Sequence, residues 1–406
     1  MTRASPASRP GRSHNWLHTR LSGVFFLYYV AVGAWVPFWP LYLQHLGYTP
    51  AQIGIALGAT GGVRIFLPVI WGWVMDRSGH RMPWIVGSML VSSIFFAMVP
   101  WTSSFAWLVA LHVAYAIFWN AALPAFDVVT LNHIAQTGAH YTRIRLWGSI
   151  GFIVAVAALG PILDRTGVGP VPWVVVGAML AMVAFGATIP DVHDRRAHLA
   201  PPTSFLASLR RPGILALLGA AFLSQLSFAP FYGFFSIYLE QHDYDRGTIG
   251  MLWALGVIAE VIVFLYTGCI IQRHGARAVL MISVTATAVR WVMLALFVDV
   301  PVLLVTSQVM HFLSFALFHA VTVHYIHELF PGRLQGRGQA LLAGTSYGLG
   351  GAIGSYFGGA VWDSAGGQAV YLGAAMVALA GAWAASRAPE LSRSAVPEIR
   401  ESALEP

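Results

Sequence analysis

Apolar residues occur in long runs broken by glycine, proline and charge. The runs fall at 21–43, 51–75, 83–100, 105–130, 145–163 and 171–189, then at 213–239, 248–271, 279–298, 301–327, 338–361 and 368–386. A helix needs about 20 apolar residues to cross the hydrocarbon core of a bilayer, so each run predicts one crossing. A polar stretch from Asp191 to Arg211 separates the sixth run from the seventh. The pattern predicts an all-α polytopic membrane protein of twelve transmembrane helices in two six-helix repeats. These halves are residues 21–190 and 213–386, joined by a linker at 191–212 and flanked by tails at 1–20 and 387–406.

Composition narrows the class. The chain is 57% hydrophobic and 10% charged, with a mean hydropathy of +0.68. That is far from the roughly 25% charged residues of soluble domains and nearly excludes a water-soluble enzyme. Twelve crossings take roughly 240 residues of the 406, leaving no room for a large extramembrane domain. All 23 basic residues are arginine, and their placement sets orientation. Arg77 and Arg81, Arg143, Arg195, Arg196, Arg210 and Arg211, Arg273 and Arg277, and Arg333 and Arg337 occupy alternate connections, and both ends of the chain carry arginine. The intervening loops hold only Arg165 and Arg246. By the positive-inside rule both termini are expected to be cytoplasmic. The basic stretch from Arg3 to Arg20 resembles a secretory n-region, but the run after it is too long for an h-region, so it reads as a retained tail. The single cysteine, Cys269, forms no intramolecular disulfide.

The chain also repeats itself. At an offset of 196, Ala34–Arg81 aligns without a gap on Pro230–Arg277. Phe38, Tyr42 and Leu43 meet Phe234, Tyr238 and Leu239, and Ile53 and Gly54 meet Ile249 and Gly250. Gly72, Arg77, Gly79 and Arg81 meet Gly268, Arg273, Gly275 and Arg277. Two halves repeated in one orientation suit a transporter that rocks about a site at the bilayer midplane.

At these residues the sequence resembles the major facilitator superfamily. The segment from Gly72 through Asp76, Arg77 and Gly79 to Arg81 resembles that superfamily's G-x-x-x-D-R-x-G-x-R motif between its second and third helices, and Gly268 to Arg277 resembles the degenerate second copy. The glycines permit a tight turn and close helix approach, and Asp76 is placed to accept bonds from arginines or helix N-termini at a gate.

A charge within a span is costly unless paired or hydrated, which makes each one a functional candidate. These are Arg64, His112, Asp127, Arg145, Glu260, Arg290, His311 and His319, with His324 and His327 near the end of the tenth run. Arg64 and Glu260 are repeat equivalents, a cation and an anion at matching depth in opposite halves. Two readings stand for them: facing groups across a central cavity, or a static ion pair that locks the halves.

Asp127 followed by Arg145-Leu-Trp-Gly148, with Phe152, resembles lactose permease. So does Val289-Arg290, and His311 keeps the histidine of that family's tenth helix while Gln308 and Ser314 replace its lysine and glutamate. Tyr232-Gly-Phe234 with Tyr238, the segment from Gly250 to Phe264, Arg145 to Ser149 and Val289-Arg290-Trp291 resemble the bacterial phenylpropionic acid transporters. That second resemblance implies uptake of a small aromatic carboxylate with protons across the bacterial inner membrane.

Roles follow as expectations. A carboxyl in apolar surroundings binds a proton more readily than in water, so Glu260 is the first proton-coupling candidate, Asp127 the second and His311 a relay. Pairing with Arg145 would instead give Asp127 a structural or substrate-orienting role. Arg64, Arg145 and Arg290 are candidates to grip a carboxylate, since a guanidinium fork matches its two oxygens. Phe152, Tyr232 and Tyr238 are candidates to stack an aromatic ring. Gly350, Gly354 and Gly358 read as close helix packing.

Gly344-Thr-Ser346-Tyr-Gly348 fits the G-x-S-x-G pattern, but it lacks the strand-turn-helix setting of a nucleophile elbow. No phosphate loop, metal-ligand cluster or cofactor motif is seen, so no enzyme is expected, and the Arg-rich termini lack the aromatic interleaving of a nucleic-acid partner. The expected function is a proton-coupled symporter importing an aromatic carboxylic acid, acting as a monomer in the lipid bilayer. The competing expectations are a sugar or nucleoside symporter, a drug/proton antiporter suggested by Gly151 with Gly160-Pro161, and a membrane receptor that transports nothing.

Overall fold

The computed structural model describes residues 12–137, 140–191, 209–332 and 334–391. Residues 1–11 and 392–406 of the expected tails, most of the expected linker including Arg195 and Arg196, and Arg333 lie outside the described residues. Every regular element among the described residues is helical. Hydrocarbon offers no hydrogen-bond partners, so a spanning segment must satisfy its own backbone.

Ten of the described helices are long and apolar enough to cross a membrane. One of them, Leu334–Ala385, has 52 residues, roughly 78 Å of helix, and breaks at Gly366, whose φ of 79° is open to glycine. A shorter apolar helix spans Val171–Gly186. With that break and that helix there are twelve crossings: α1 (Arg12–His45), α2 (Pro50–Ser78), α3 (Met82–Trp101), α4 (Phe105–Thr137), α5 (Tyr141–Thr166), α6 (Val171–Gly186), α7 (Ile214–Gln241), α8 (Arg246–Phe264), α9 (Ala276–Phe297), α10 (Pro301–Leu329), α11 (334–365) and α12 (367–385). Six precede the undescribed segment 192–208 and six follow it. The observed α5 begins four residues before the expected run, so Arg143 and Arg145 lie inside the helix.

The two sets interlock where side chains vanish. Gly54 of α2 lies against the backbone of Ser355 and Gly359 in α11, and Gly250 of α8 lies against the Val156 carbonyl in α5. The glycine stripe behaves as expected: Gly350, Gly354 and Gly358 meet Phe222, Leu226 and Pro230, one turn apart along α7. Gly72 differs from expectation, because a side chain there would meet nothing within 4 Å. In that motif the tight turn belongs to Gly79 alone, which ends the helix at φ 71°.

Two wide-turn π segments interrupt the late helices, Phe312–Leu317 in α10 and Gly344–Gly350 in α11. The second contains the G-x-S-x-G match, where Ser346 Oγ merely donates to the carbonyl of Leu342. His112 is a satisfied core residue. Its Nε2 accepts from Trp39 Nε1 at 2.8 Å and its Nδ1 faces the Leu108 carbonyl at 2.8 Å, an arrangement that suits the neutral ring. Trp73, Trp101, Trp107 and Trp383 are more than 60% exposed, as lipid-facing aromatics are.

Candidate functional site

A cavity of about 570 Å³ lies where α1, α2, α4, α5, α7, α8, α9, α10 and α11 converge. It gathers Arg64, Arg145, Phe152, Tyr232, Glu260, Arg290 and His311 into one space. Asp127 and Tyr238 are not among its walls. Asp127 accepts a hydrogen bond from Tyr141 at 2.8 Å and forms no ion pair with Arg145. Tyr238 packs edge-on against Trp362, against Tyr371 and over Gly367, about one and two-thirds turns beyond Tyr232 and on another face of α7. The motif residues also lie off the cavity: Arg81 pairs with Asp76 at 2.7 Å, Arg77 lies over Trp73, and Asp76 is 65% exposed.

The three arginines differ in what holds them. Arg290 is fully buried and committed: its guanidinium donates to His311 Nδ1 at 2.8 Å, Gln308 Oε1 at 3.0 Å and Ser314 Oγ at 3.3 Å, and lies 4.3 Å from the Phe231 ring centre. Arg145 donates to the Tyr29 hydroxyl and lies over the Tyr29 and Phe25 rings. Arg64 closes the first part of α2, and its Nε is buried without a hydrogen-bond partner. The Arg64 side chain forms no ion pair within 4 Å of Glu260, so the two repeat equivalents share the cavity instead of locking the halves.

An arginine has no acceptor, so the nitrogen of His311 that faces Arg290 must accept. The ring hydrogen of a neutral His311 then belongs on Nε2, and that atom faces Glu260 Oε2 at 3.5 Å. Arg290 therefore sets the tautomer through which His311 meets the carboxylate. Further along α10, His319 also lines the cavity, with Nδ1 3.2 Å from the Tyr347 hydroxyl. Phe315 lies between the two histidines and stacks on both, at 5.1 Å and 6.2 Å with nearly parallel planes. Ring walls complete the cavity: Tyr28 stacks on Trp119 at 4.5 Å, and Trp253 lies beside Tyr232 and Phe152.

Such a space, apolar on most sides with a free cation and a partly buried carboxylate, suits a small organic anion and a proton. Tyr28, Tyr29, Trp119, Trp253 and Tyr347 are cavity residues that the charge pattern does not reveal. The sign that could have found Tyr28 and Tyr29 is their place seven residues before Trp35 and Val36, two helical turns back on the same face of α1.

Residues 18–373 match the MFS_1 like family. The chain belongs to that family, within the major facilitator superfamily. It is 30% identical over 309 residues to the "probable 3-phenylpropionic acid transporter" of Escherichia coli, covering 74% of this chain and 80% of that one. It is 25% identical over 337 residues to the maltose permease of Geobacillus stearothermophilus, covering 80% and 83%. The crystal structure of the nucleoside transporter NupG superposes with a TM-score of 0.80 at 18% identity, over 91% of this chain and 98% of that one, and shows the same fold. The family's relatives are transporters, and the spans place this chain in a membrane.

Proposed function

We propose that this chain is a proton-coupled symporter that imports a small aromatic carboxylic acid of the phenylpropionate type by alternating access. The observation that carries the reading is one cavity holding an uncommitted arginine, Arg64, and a carboxyl, Glu260, whose ion partner is the neutral-capable His311. Arg64 grips the substrate carboxylate through its fork. The rings of Tyr28, Trp119, Phe152, Tyr232 and Trp253 face the substrate's ring. Glu260 carries the proton, and the Nε2 hydrogen of His311 supports the carboxylate after the proton leaves. The arginine-rich ends lie in the cytoplasm of a bacterium, with the protein in the inner membrane. One proton with one monocarboxylate moves no net charge; each further proton adds about 2.3 kcal/mol per 100 mV.

Reconstitution in liposomes tests this. Adding phenylpropionate should raise the external pH, and Glu260→Gln should abolish that rise while leaving binding intact. Uptake without proton movement, or an unchanged signal in Glu260→Gln, overturns the coupling assignment. A second reading, a sugar or nucleoside symporter, has support from the maltose permease relative and from the amides of Asn120 and Gln225 on the cavity wall. Competition separates the two: a nucleoside or maltose that displaces bound phenylpropionate, and is itself accumulated, favours the second.

A further inference from the structure

Among the described residues, the hydrogen bonds between the first six spans and the last six all lie at one end, the arginine-poor end. Asp164, near the end of α5, accepts from the backbone N–H of Arg246 at 2.8 Å and of Gly247 at 2.9 Å, where α8 begins. Arg246 reaches back, donating through Nη1 to the Leu163 carbonyl at 2.9 Å and through Nε to Glu240 at 2.7 Å. Asp363, at the end of α11, accepts from the N–H of Ala51 at 3.2 Å, where α2 begins. Ala51 and Gly247 are 196 residues apart, the offset of the internal repeat. The two bonds therefore fall on the same position of the two copies.

The local sequence explains how each carboxylate reaches across. The first N–H groups of a helix have no partner within it and carry partial positive charge. Thr49 and Asp245, again 196 apart, cap Gln52 and Thr248 and leave the groups just before them to another partner. Four residues before each aspartate stands a glycine. Gly160 lies against the Arg246 carbonyl and Gly359 against the Pro50 carbonyl, once more equivalent positions. A side chain at either glycine would hold the helix start away, so Gly160-Pro-Ile-Leu-Asp164 and Gly359-Ala-Val-Trp-Asp363 are two copies of one device.

We propose that Asp164 and Asp363 are paired latches that hold the arginine-poor end closed, each a carboxylate of one half seated on a helix start of the other. Both sit at the rim, where water can take over the carboxylate and the amides when the halves part, so the latches hold without trapping the closed state. The arginine-rich end shows the opposite condition: Asp76 is exposed and bonded within its own motif, and a side chain at Gly72 would meet nothing within 4 Å. One end is latched while the matching device at the other is free. The proposal rests on alternating access alone and not on the substrate or the proton.

Spin labels at Leu46 and Gln241, both exposed at that end on opposite halves, report opening in a Cys269→Ser background. Asp164→Ala and Asp363→Ala should each add a longer-distance population, with the open-to-closed ratio rising about tenfold per latch, since a charged hydrogen bond is lost. The double variant should be mostly open. Asp299→Ala, an exposed acid at the same end whose partner His242 is in its own half, should change nothing. A distance distribution in the single variants that matches the parent overturns the proposal, and so does a shift of equal size in Asp299→Ala. If the double variant does not fold, the single variants decide. A failure of acid-driven proton uptake would leave this distance measurement standing, so the two readings fail separately.

Discussion

Arg290 donates to His311 Nδ1 at 2.8 Å, and that bond decides which face of the imidazole Glu260 meets. Removing the guanidinium would orphan His311 Nδ1, Gln308 Oε1 and Ser314 Oγ in a fully buried pocket and leave a void beside Phe231. Arg290→Ala is expected to destabilise the protein by about 2–4 kcal/mol, from unpaired polar groups and lost packing together. Arg290→Lys should recover part of the stability but not the coupling, because an ammonium cannot hold all three partners in the same geometry. Thermal unfolding in detergent and the proton-to-substrate ratio in liposomes measure the two effects.

Arg64 should behave in the opposite way. No side chain depends on it, so Arg64→Ala is expected to leave the melting temperature near that of the parent. Its effect belongs to binding: losing a charged hydrogen bond to a carboxylate should raise KM about 10- to 100-fold. An amide analogue of the substrate should lose nothing further in the variant. A KM that is unchanged in Arg64→Ala would move the anion site to Arg145.

Glycine substitutions separate close approach from mere flexibility. An added methyl at Gly250 would run into the Val156 carbonyl, whereas at Gly62 it would meet nothing within 4 Å. Gly250→Ala should therefore lower the melting temperature by several degrees or force the α5–α8 seam apart, and Gly62→Ala should change it little, raising it if anything through better helix propensity. Equal behaviour of the two variants would show that the seam yields.

Much of this arrangement was legible in the chain. The twelve runs, the offset of 196 and the sparse charges inside apolar stretches bring Arg64, Arg145, Arg290, Glu260 and His311 to one cavity, because few other ionisable groups share that depth. What the chain did not show is commitment. Three arginines look alike in sequence, yet helix rotation and neighbouring rings bind Arg290 and Arg145 and leave Arg64 free. Tyr232 and Tyr238 illustrate the same limit: the stretch Phe231–Tyr238 is aromatic on several sides, and six residues of helix turn by about 240°, so only one of the two reaches the cavity. Asp164 and Asp363 read as loop-end acids until the helix starts they cap are seen.

Asp245 gives a pH prediction outside the membrane. Its carboxylate accepts from the Thr248 backbone N–H and hydroxyl, which hold its pKa below the ordinary aspartate value. A depressed carboxyl stabilises the folded state above the unfolded pKa, near 3.9, and loses that contribution as pH falls through the lower folded value. Amide-exchange protection at the start of α8 should thus be constant from pH 7 to about 5 and fall only in stronger acid. Asp245→Asn, with a neutral cap, should remove that acid dependence at the Thr248 amide, while the Arg246 and Gly247 amides, which Asp164 holds, keep theirs.

The π segment at Phe312–Leu317 is a matter of phase. Eight residues separate His311 from His319, and at about 100° per residue a regular helix would turn them roughly 80° apart. A π turn spends one residue more on the same rotation, which brings that difference to roughly 20°. His311, Phe315 and His319 then stand as a column of nearly parallel rings. Regularising 312–317 to ordinary α-helix at unchanged length would swing His319 and all that follows it out of line with Glu260, an error of angle without any change in composition.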